Sequence, residues 1–358
     1  MPPNTKKRIL MINVWATQEG PATNSYLYKP LGDLGYVLEV KGIPGGTKAR
    51  LLYGCLTTDI PFDAYDGIVC PEYGRAVGMA IRKRLTGHKT PIVAVGLNQA
   101  GALFKTGIRP LDSYVDKALG GIALSIVHSQ HERDLWTEIH NIPAERMPFA
   151  HWGYDVPDIK TNRFSSYAEP YFCMIGRNNR DYDTFCTAVE KAGTKGIIIT
   201  DEVCAKEVKA TDNVEVHLNL PLEDCMDCIR GSLANVILVN DDNRGAGHIT
   251  AVSGMHLGKP TIYTDCQGIA DYLIDRYNGL GVPLRDAEAT AAAMAEMVAD
   301  PELSTKLGEA GKAYASRWLT TEAAGRAHAA IIVAGIEEKT VPPASFEWLL
   351  EYESLVAV

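Results

Sequence analysis

The sequence predicts an α/β protein made of two doubly wound domains in tandem, each a mainly parallel sheet covered by helices on both faces. Three observations carry this. The 358 residues exceed one ordinary domain and suit two, each able to bury its own core. Apolar runs of strand length alternate with longer segments of helix length, as β-α-β units require. The alternation breaks once, at the polar, proline-containing stretch VPDIKTNRFSSYAE of residues 156–169, and then restarts. That stretch has no periodicity and reads as a linker. The domains are therefore placed at 1–160 and 161–335, with residues 336–358 forming a tail and helix that pack back on the first domain.

In the first domain, residues 8–14 (RILMINV) read as the opening strand, followed by a loop over 15–23 and a helix over 24–34. Residues 36–40, 66–70 and 91–95 are further apolar strands, and a helix over 73–85 lies between the last two. Residues 101–119 show no clear period. Residues 122–127 are another strand, Ser129 is placed to cap a helix running to 139, and 147–150 form a short last strand before His151-Trp152-Gly153-Tyr154-Asp155.

The second domain opens with a strand at 171–175, a loop Gly176-Arg177-Asn178-Asn179-Arg180 and a helix over 181–192. Strands follow at 196–200 and 214–217, with a helix at 221–230. Residues 236–282 are the most informative stretch: a strand at 236–239, a turn-rich loop 241–247, a helix 248–257 closed by Gly258-Lys259-Pro260, and a strand at 261–264. A glycine-containing loop that leads into a helix presents free backbone N–H groups and the positive end of the helix dipole, which suits a phosphate. Such a unit is also ordinary in α/β domains. Helices at 287–299, 301–317 and 321–336 and a short amphipathic helix at 346–355 complete the chain.

No apolar run reaches the roughly 18 residues of a membrane span, and the first residues lack a secretory signal, so a soluble cytoplasmic protein is expected. The eight cysteines are scattered, unlike a disulfide framework. Cys225-Met226-Asp227-Cys228 lacks a second ligand pair and reads as helix-face cysteines. The net charge is −9, but residues 1–160 hold 18 Lys+Arg against 15 Asp+Glu, and the remainder 17 against 29. The first half is thus the place for an anionic partner, with Arg82-Lys83-Arg84 and Lys89 its densest basic patch; a solvated helix end is the plainer meaning of that patch. The acidic second half argues against general nucleic-acid binding, and a nucleic-acid acceptor rests only on the basic patch.

Several short motifs then occur in one order. Gly176-Arg177 with Arg180-Asp181-Tyr182 follows the first strand of the second domain. Ala246-Gly247-His248-Ile249-Thr250 precedes Met255 and Gly258-Lys259-Pro260. Gly268-Ile269-Ala270-Asp271-Tyr272, Asn278-Gly279-Leu280-Gly281-Val282, Asp300-Pro301-Glu302-Leu303 and Leu307-Gly308 come after. Together they resemble the nucleotide-sugar-binding domain of glycosyltransferases with the GT-B fold, in particular the retaining family-4 group, where a GR loop, a GKP and an nGllv strand come in this order. The resemblance covers residues 171–318. It reaches the first domain only through Val127-His128-Ser129 and Gly153-Tyr154-Asp155, which look like that group's vS and GvD landmarks. It implies two Rossmann-like domains facing each other across a cleft, with a nucleoside-diphosphate-sugar on the second domain, UDP-sugar expected, and the acceptor on the first.

The residue chemistry fits. The leaving diphosphate develops negative charge, which fixed cations and helix-end N–H groups stabilise. Arg177 matches the family's arginine, Arg180 sits slightly earlier than its usual lysine, and guanidinium groups suit phosphate. Gly176 and the loop Gly245, Ala246, Gly247, His248, Ile249 and Thr250 supply donors, and His248 is either a diphosphate or sugar contact or a capping residue. Asn219 and Leu220 stand where the base is read. The family's two glutamates, eight positions apart, correspond here to Gly245 and Ser253, so both carboxylates are missing; Ser253 is left as a ribose contact, and Asp241 and Asp242 are out of register. Glu72 is the candidate to orient or deprotonate an acceptor hydroxyl, its plainer role being a helix N-terminal carboxylate. Asn13, Trp15, Thr23, Asn24 and Asn98 are lesser acceptor-side candidates. No D-x-D pair sits at a strand end, so no metal and no cofactor are assigned. The expected protein is a metal-independent glycosyltransferase of hexosyl type acting with retention. The alternatives are a non-catalytic sugar-nucleotide-binding partner subunit and an epimerase or hydrolase on the same fold.

Overall fold

A computed structural model describes residues 6–13, 19–44, 46–96, 107–241, 246–342, 345 and 347–356. By packing, the chain divides into two units, Met1–His151 with Thr321–Leu350 and Trp152–Thr320 with Glu351–Val358. Each is a parallel-sheet, Rossmann-like α/β unit, the fold class expected from the alternation.

The first unit contains β1 Lys7–Asn13, β2 Gly20–Pro21, α1 Tyr28–Asp33, β3 Tyr36–Gly42, α2 Lys48–Thr57, β4 Gly67–Pro71, α3 Tyr73–Thr86, β5 Ile92–Val95, α4 Arg109–Leu119, β6 Leu124–Ile126 and α5 Gln130–His140. Its six strands run in the order β2-β3-β1-β4-β5-β6. All pairs are parallel except β2 on β3 at the edge. The inner strands are buried on both faces, so Ile9, Leu10, Met11 and Ile12 of β1 and all of β5 lie in the core. That two-sided burial is why these strands read as continuous apolar runs. Ser129 caps α5 as expected: its hydroxyl accepts the Glu132 N–H at 3.0 Å, while Glu132 accepts the His128 N–H at 2.7 Å. Residues 147–150 form no ladder, only a single bridge from Val127 to Phe149. Sequence reading passed over α2, most of whose residues are only partly buried or exposed.

Helix α11, Thr321–Ile336, completes this unit. The sequence placed it with the second domain, and the structure corrects that. Ala329, Ile331, Ile332 and Ile336 enter the first unit's core. A Cβ on Gly335 would stand 3.0 Å from Val93 and 3.2 Å from Leu124, so a bare glycine lets α11 lie directly on β5 and β6. The Tyr26 hydroxyl bonds His328 Nδ1 at 2.8 Å. Trp348 packs edge-on to Phe149 with ring centroids 4.4 Å apart.

The second unit holds β7 Tyr171–Ile175, α6 Tyr182–Ala192, β8 Lys195–Thr200, β9 Val214–Leu218, α7 Leu222–Gly231, β10 Ala234–Ile237, α8 His248–His256, β11 Thr261–Thr264, β12 Gly279–Val282, α9 Ala287–Ala299 and α10 Pro301–Trp318. Helix α12 spans Glu347–Val356. The strand order is β12-β11-β10-β7-β8-β9, all parallel. Chain direction across the sheet therefore reverses between β7 and β10, and in such sheets ligands bind outside the carboxyl ends of the strands at that point.

Several motifs that carried the family resemblance are packing devices. Gly258 ends α8 in the left-handed conformation, as a C′ residue does. Its carbonyl is approached so closely by α10 that a Cβ on Gly308 would lie 2.2 Å from it. The Lys259 ammonium donates to the Ser232 carbonyl at 2.9 Å behind α7. Asn278 is fully buried, accepting the Ile274 N–H at 2.8 Å and donating to the Tyr272 carbonyl at 3.0 Å. These residues fix helix ends and turns.

Candidate functional site

At the carboxyl end of β7 the chain turns sharply at Gly176, which adopts φ +136°. A Cβ there would lie 2.7 Å from Nη2 of Arg180. Arg180 folds back under its own loop and is 5 % exposed. Its Nε and Nη2 donate to the Ile175 carbonyl, both at 3.3 Å, and its Nη1 donates to the Asn178 carbonyl at 2.8 Å. No ion pair within 4.0 Å joins it to a carboxylate among the described residues. Burial lowers its pKa to about 10, which leaves it a cation at neutral pH. A buried cation held only by carbonyl dipoles is costly, and a bound anion would relieve that cost.

The loop after β10 is laced to this one. Asn240 Nδ2 donates to the Arg180 carbonyl at 2.7 Å, and Asn179 Nδ2 donates to the Asp241 carbonyl at 2.8 Å. Arg285 Nε and Nη2 both donate to the Asn240 carbonyl, at 3.1 and 2.8 Å. Tyr182 donates to the Gly176 carbonyl at 2.8 Å and shares a 2.8 Å hydrogen bond with Thr200. Asn240 and Arg285 were not singled out from the sequence, and Tyr182 entered only as part of the Arg180-Asp181-Tyr182 motif. Only Asn240 offered a signal, as an amide directly at a strand exit.

The chain next enters α8 through Gly247, whose φ is +95° and which supplies no side-chain cap. A Cβ on Gly247 would lie 3.5 Å from Arg180 Nη2 and 2.6 Å from Ile237. Thr250 Oγ1 donates to the Ile175 carbonyl at 3.5 Å. Thus Gly176, Arg180, Gly247 and Thr250 are brought together at the β7/β10 reversal, where the α8 N-terminus offers N–H groups and a partial positive charge.

The other expected residues fall out as follows. Arg177 is exposed on the same loop, and its backbone carbonyl accepts from Cys204 Sγ at 3.1 Å. Hydrogen bonds from the backbone at Cys204, with a further contribution from the Arg177 charge, hold the Asp201 carboxyl below its ordinary pKa. Ala246 is buried, and Ile249 is exposed. The His248 ring meets Tyr272 edge-on at 4.7 Å. Asn219 is exposed in a left-handed conformation, its N–H on the Thr200 carbonyl at 2.9 Å, and Leu220 is half-buried beside it. Both stand at the exit of β9, about 10 Å from β7 by strand spacing. Ser253, expected at the ribose, is fully buried within α8, and its hydroxyl meets no hydrogen-bond partner among the described residues. Gly245 and Asp242 lie outside the described residues, as do Trp15 and Asn98.

In the first unit, Glu72 occupies the exit of β4, with φ 64° and ψ 149° and its N–H on the Val95 carbonyl at 2.9 Å. It precedes α3 but does not cap it with its side chain. Its carboxylate instead pairs at 2.7 Å with Arg75, whose side chain is 3 % exposed. A non-glycine residue held in that backbone region is strained by about 1–3 kcal/mol, and such strain concentrates at functional sites. Asn13 ends β1, where its carbonyl accepts the Ile43 N–H at 2.8 Å. Thr23 and Asn24 are exposed. Cys225 and Cys228 lie on the buried face of α7. No helix among the described residues is long and apolar enough to cross a membrane.

Residues 202–314 match the family described as glycosyl transferases group 1. Among solved structures, a glycosyltransferase from Rickettsia africae superposes with a TM-score of 0.71 at 13% identity, covering 93% of this chain and 99% of that one. Sucrose-phosphate synthase from Thermosynechococcus elongatus gives 0.68 at 14% identity, covering 89% and 96%. HepE from Anabaena, solved with UDP, gives 0.69 at 12% identity, covering 92% and 100%. At these identities the likeness is one of fold, the GT-B architecture. No curated protein matches.

Proposed function

We propose that this chain is a glycosyltransferase that takes a sugar from a nucleoside-diphosphate-sugar, UDP-sugar foremost, and passes it to a hydroxyl with retention of configuration. One observation carries the reading: a buried arginine without a carboxylate partner among the described residues lies against the mouth of a helix that has no side-chain cap, at the strand reversal of the second sheet. The match over residues 202–314 supports it, as does HepE, solved also with UDP-glucose.

In this reading Arg177 touches the diphosphate, while Arg180 supplies fixed charge from beneath and keeps the loop in shape. The N–H groups of residues 247–250 complete the cradle. Such preorganised charge acts where the leaving oxygen gains its negative charge. Asn219 and Leu220 read the base through their backbone. Glu72 orients or deprotonates the acceptor hydroxyl. No metal or cofactor takes part.

Thermal unfolding with a panel of nucleotide-sugars tests the binding half, because a ligand for the native state alone raises the midpoint. Product analysis with the stabilising donor tests the chemistry. A UDP-sugar is expected to stabilise the protein and to be consumed only with an acceptor present. Absence of stabilisation by every nucleotide-sugar defeats the reading. The buried Ser253, standing where relatives carry a carboxylate, favours one second reading: a binding subunit without turnover, identified by stabilisation without consumption.

A further inference from the structure

The basic run at residues 82–89 has no part in the site above, and the structure separates its members. Arg82 donates to the Cys55 and Thr58 carbonyls at 3.1 and 2.5 Å behind α2. Arg84 lies over the Tyr114 ring at 5.3 Å. Lys83 and Lys89 instead line a cavity of about 380 Å³, joined there by Arg146 and Lys339 from distant parts of the chain. Pro91 and Gly121, which precede β5 and β6, also line it. The cavity is therefore at the amino-terminal edge of the first unit's sheet, opposite the strand exits where Glu72 stands.

The charges there are not all neutralised. Lys339 pairs with Glu337 at 2.6 Å, and Arg146 donates to the Gly120 carbonyl at 2.7 Å. Among the described residues, Glu338 is the one carboxylate lining the cavity. Lys83, Lys89 and Arg146 form no ion pair among the described residues. Their simplest service is to offset the carbonyl ends of α3 and α11, but two helix ends carry together about one negative charge. With Glu338 counted as well, about one positive charge is left over. Partial burial and the nearby cations Lys89 and Arg146 lower the Lys83 pKa, against a raising effect of Glu338.

A second cavity, of about 480 Å³, adjoins the first and shares Leu124 and Lys339 with it. Its walls include Leu124, Met147, Phe149, Val341, Trp348 and Leu349, with Arg133, Gln130, Glu145 and Thr340 as polar groups besides Lys339. Both volumes are of the size that holds a small molecule. One chamber is apolar, the other carries surplus positive charge, and they meet at shared residues.

We propose that the two chambers form a single binding site for an amphiphilic anion, its apolar chain against Phe149 and Trp348 and its acidic head among Lys83, Lys89 and Arg146. The head is a carboxylate or a phosphate monoester, both of which these cations recognise. This site is independent of the sugar-transfer reading and would stand if that reading failed.

The test is titration of the full chain, below the critical micelle concentration, with dodecanoate, dodecyl phosphate and neutral dodecyl maltoside, read by calorimetry and by tryptophan fluorescence. The two anions are expected to bind at least tenfold more tightly than the maltoside. The stronger of the two identifies the head group. Lys83→Met with Lys89→Met keeps the aliphatic stems and should weaken anion binding at least tenfold while leaving maltoside binding unchanged and lowering the thermal midpoint only slightly, through the lost helix-end charge. Trp348→Phe should remove most of the fluorescence response while calorimetric binding persists. Equal binding of anions and maltoside, no binding of either anion, or full anion affinity in the double lysine variant would overturn the proposal. Arg177→Ala run alongside should bind the anions normally; loss there would place them at the other site and equally refute it.

Discussion

Arg180 lies against the bare Cα of Gly176, so close that a methyl group on residue 176 would stand 2.7 Å from Nη2 and 2.9 Å from Cζ. The glycine is thus required twice, for its backbone angle and for the space the guanidinium fills. Gly176→Ala should cost about 1–3 kcal/mol from backbone strain alone and should displace the arginine. Urea unfolding and donor titration check this together, with lower stability and at least tenfold weaker donor binding expected. An unaltered urea midpoint would mean the loop is softer than it stands here.

The two arginines of that loop should separate experimentally. Arg177 is exposed and Arg180 buried, so Arg177→Ala should reduce turnover strongly with the thermal midpoint unchanged. Arg180→Gln should lower both, because the Asn178 carbonyl loses its guanidinium donor and the Ile175 carbonyl keeps the 3.5 Å Thr250 contact in place of two guanidinium bonds, at a cost of about 1–3 kcal/mol for a buried group left unmet. Steady-state kinetics beside calorimetric melting distinguishes the outcomes. A stable, inactive Arg180→Gln variant would reverse the assignment of roles.

Asp227 ties the segment after residue 163 to α7. It is fully buried and accepts the Phe164 and Ser165 N–H groups at 2.7 and 3.3 Å and Arg230 Nη2 at 2.6 Å. Asp227→Ala should cost about 3 kcal/mol, near the lower end for a broken buried pair because Arg230 retains contact with water. Denaturant unfolding measures it, and a loss below 1 kcal/mol would show that the segment is held by Phe164 packing instead.

Acid should unfold the first unit early through His328. Burial and the neighbouring His128 lower its pKa from 6.5 to about 3, and burial lowers that of His128 as well. Between those values the unfolded chain binds the proton and the folded one does not. The contribution is intact above pH 6.5 and is lost as pH falls toward 3, with a slope of at most about 1.4 kcal/mol per pH unit from this residue. His328→Gln should flatten that slope in a pH series of urea midpoints; an unchanged slope would assign acid sensitivity elsewhere.

Much of this architecture was legible because strands covered on both faces must be apolar throughout: all five residues of β7 are buried, and the run reads as a strand unaided. The arginines were legible as phosphate ligands by chemistry. Their division of labour was not, since nothing in Arg177 or Arg180 as letters tells which side chain turns inward onto carbonyls. The burial of Ser253 was not legible for the same reason: counting back from Gly258-Lys259-Pro260 gave it a glutamate's position, but a side chain two atoms shorter in reach ends inside the helix packing. Helix α2 escaped because it buries too little to show a stripe. The small, apolar residues of α11 announce burial without saying against which sheet.

That last point bears on how the chain is made. The first unit lacks part of its core until residue 336 has left the ribosome, since Ile331, Ile332 and Ile336 cover β5 and β6 from the far side of a complete second unit in the sequence. During synthesis the second unit is the one able to fold first, since all of it but the short segment Glu351–Val358 is contiguous. A fragment ending near residue 160 would expose the apolar face that α11 covers and should aggregate, whereas the same fragment supplied with residues 321–350 as a separate peptide has the means to recover its core.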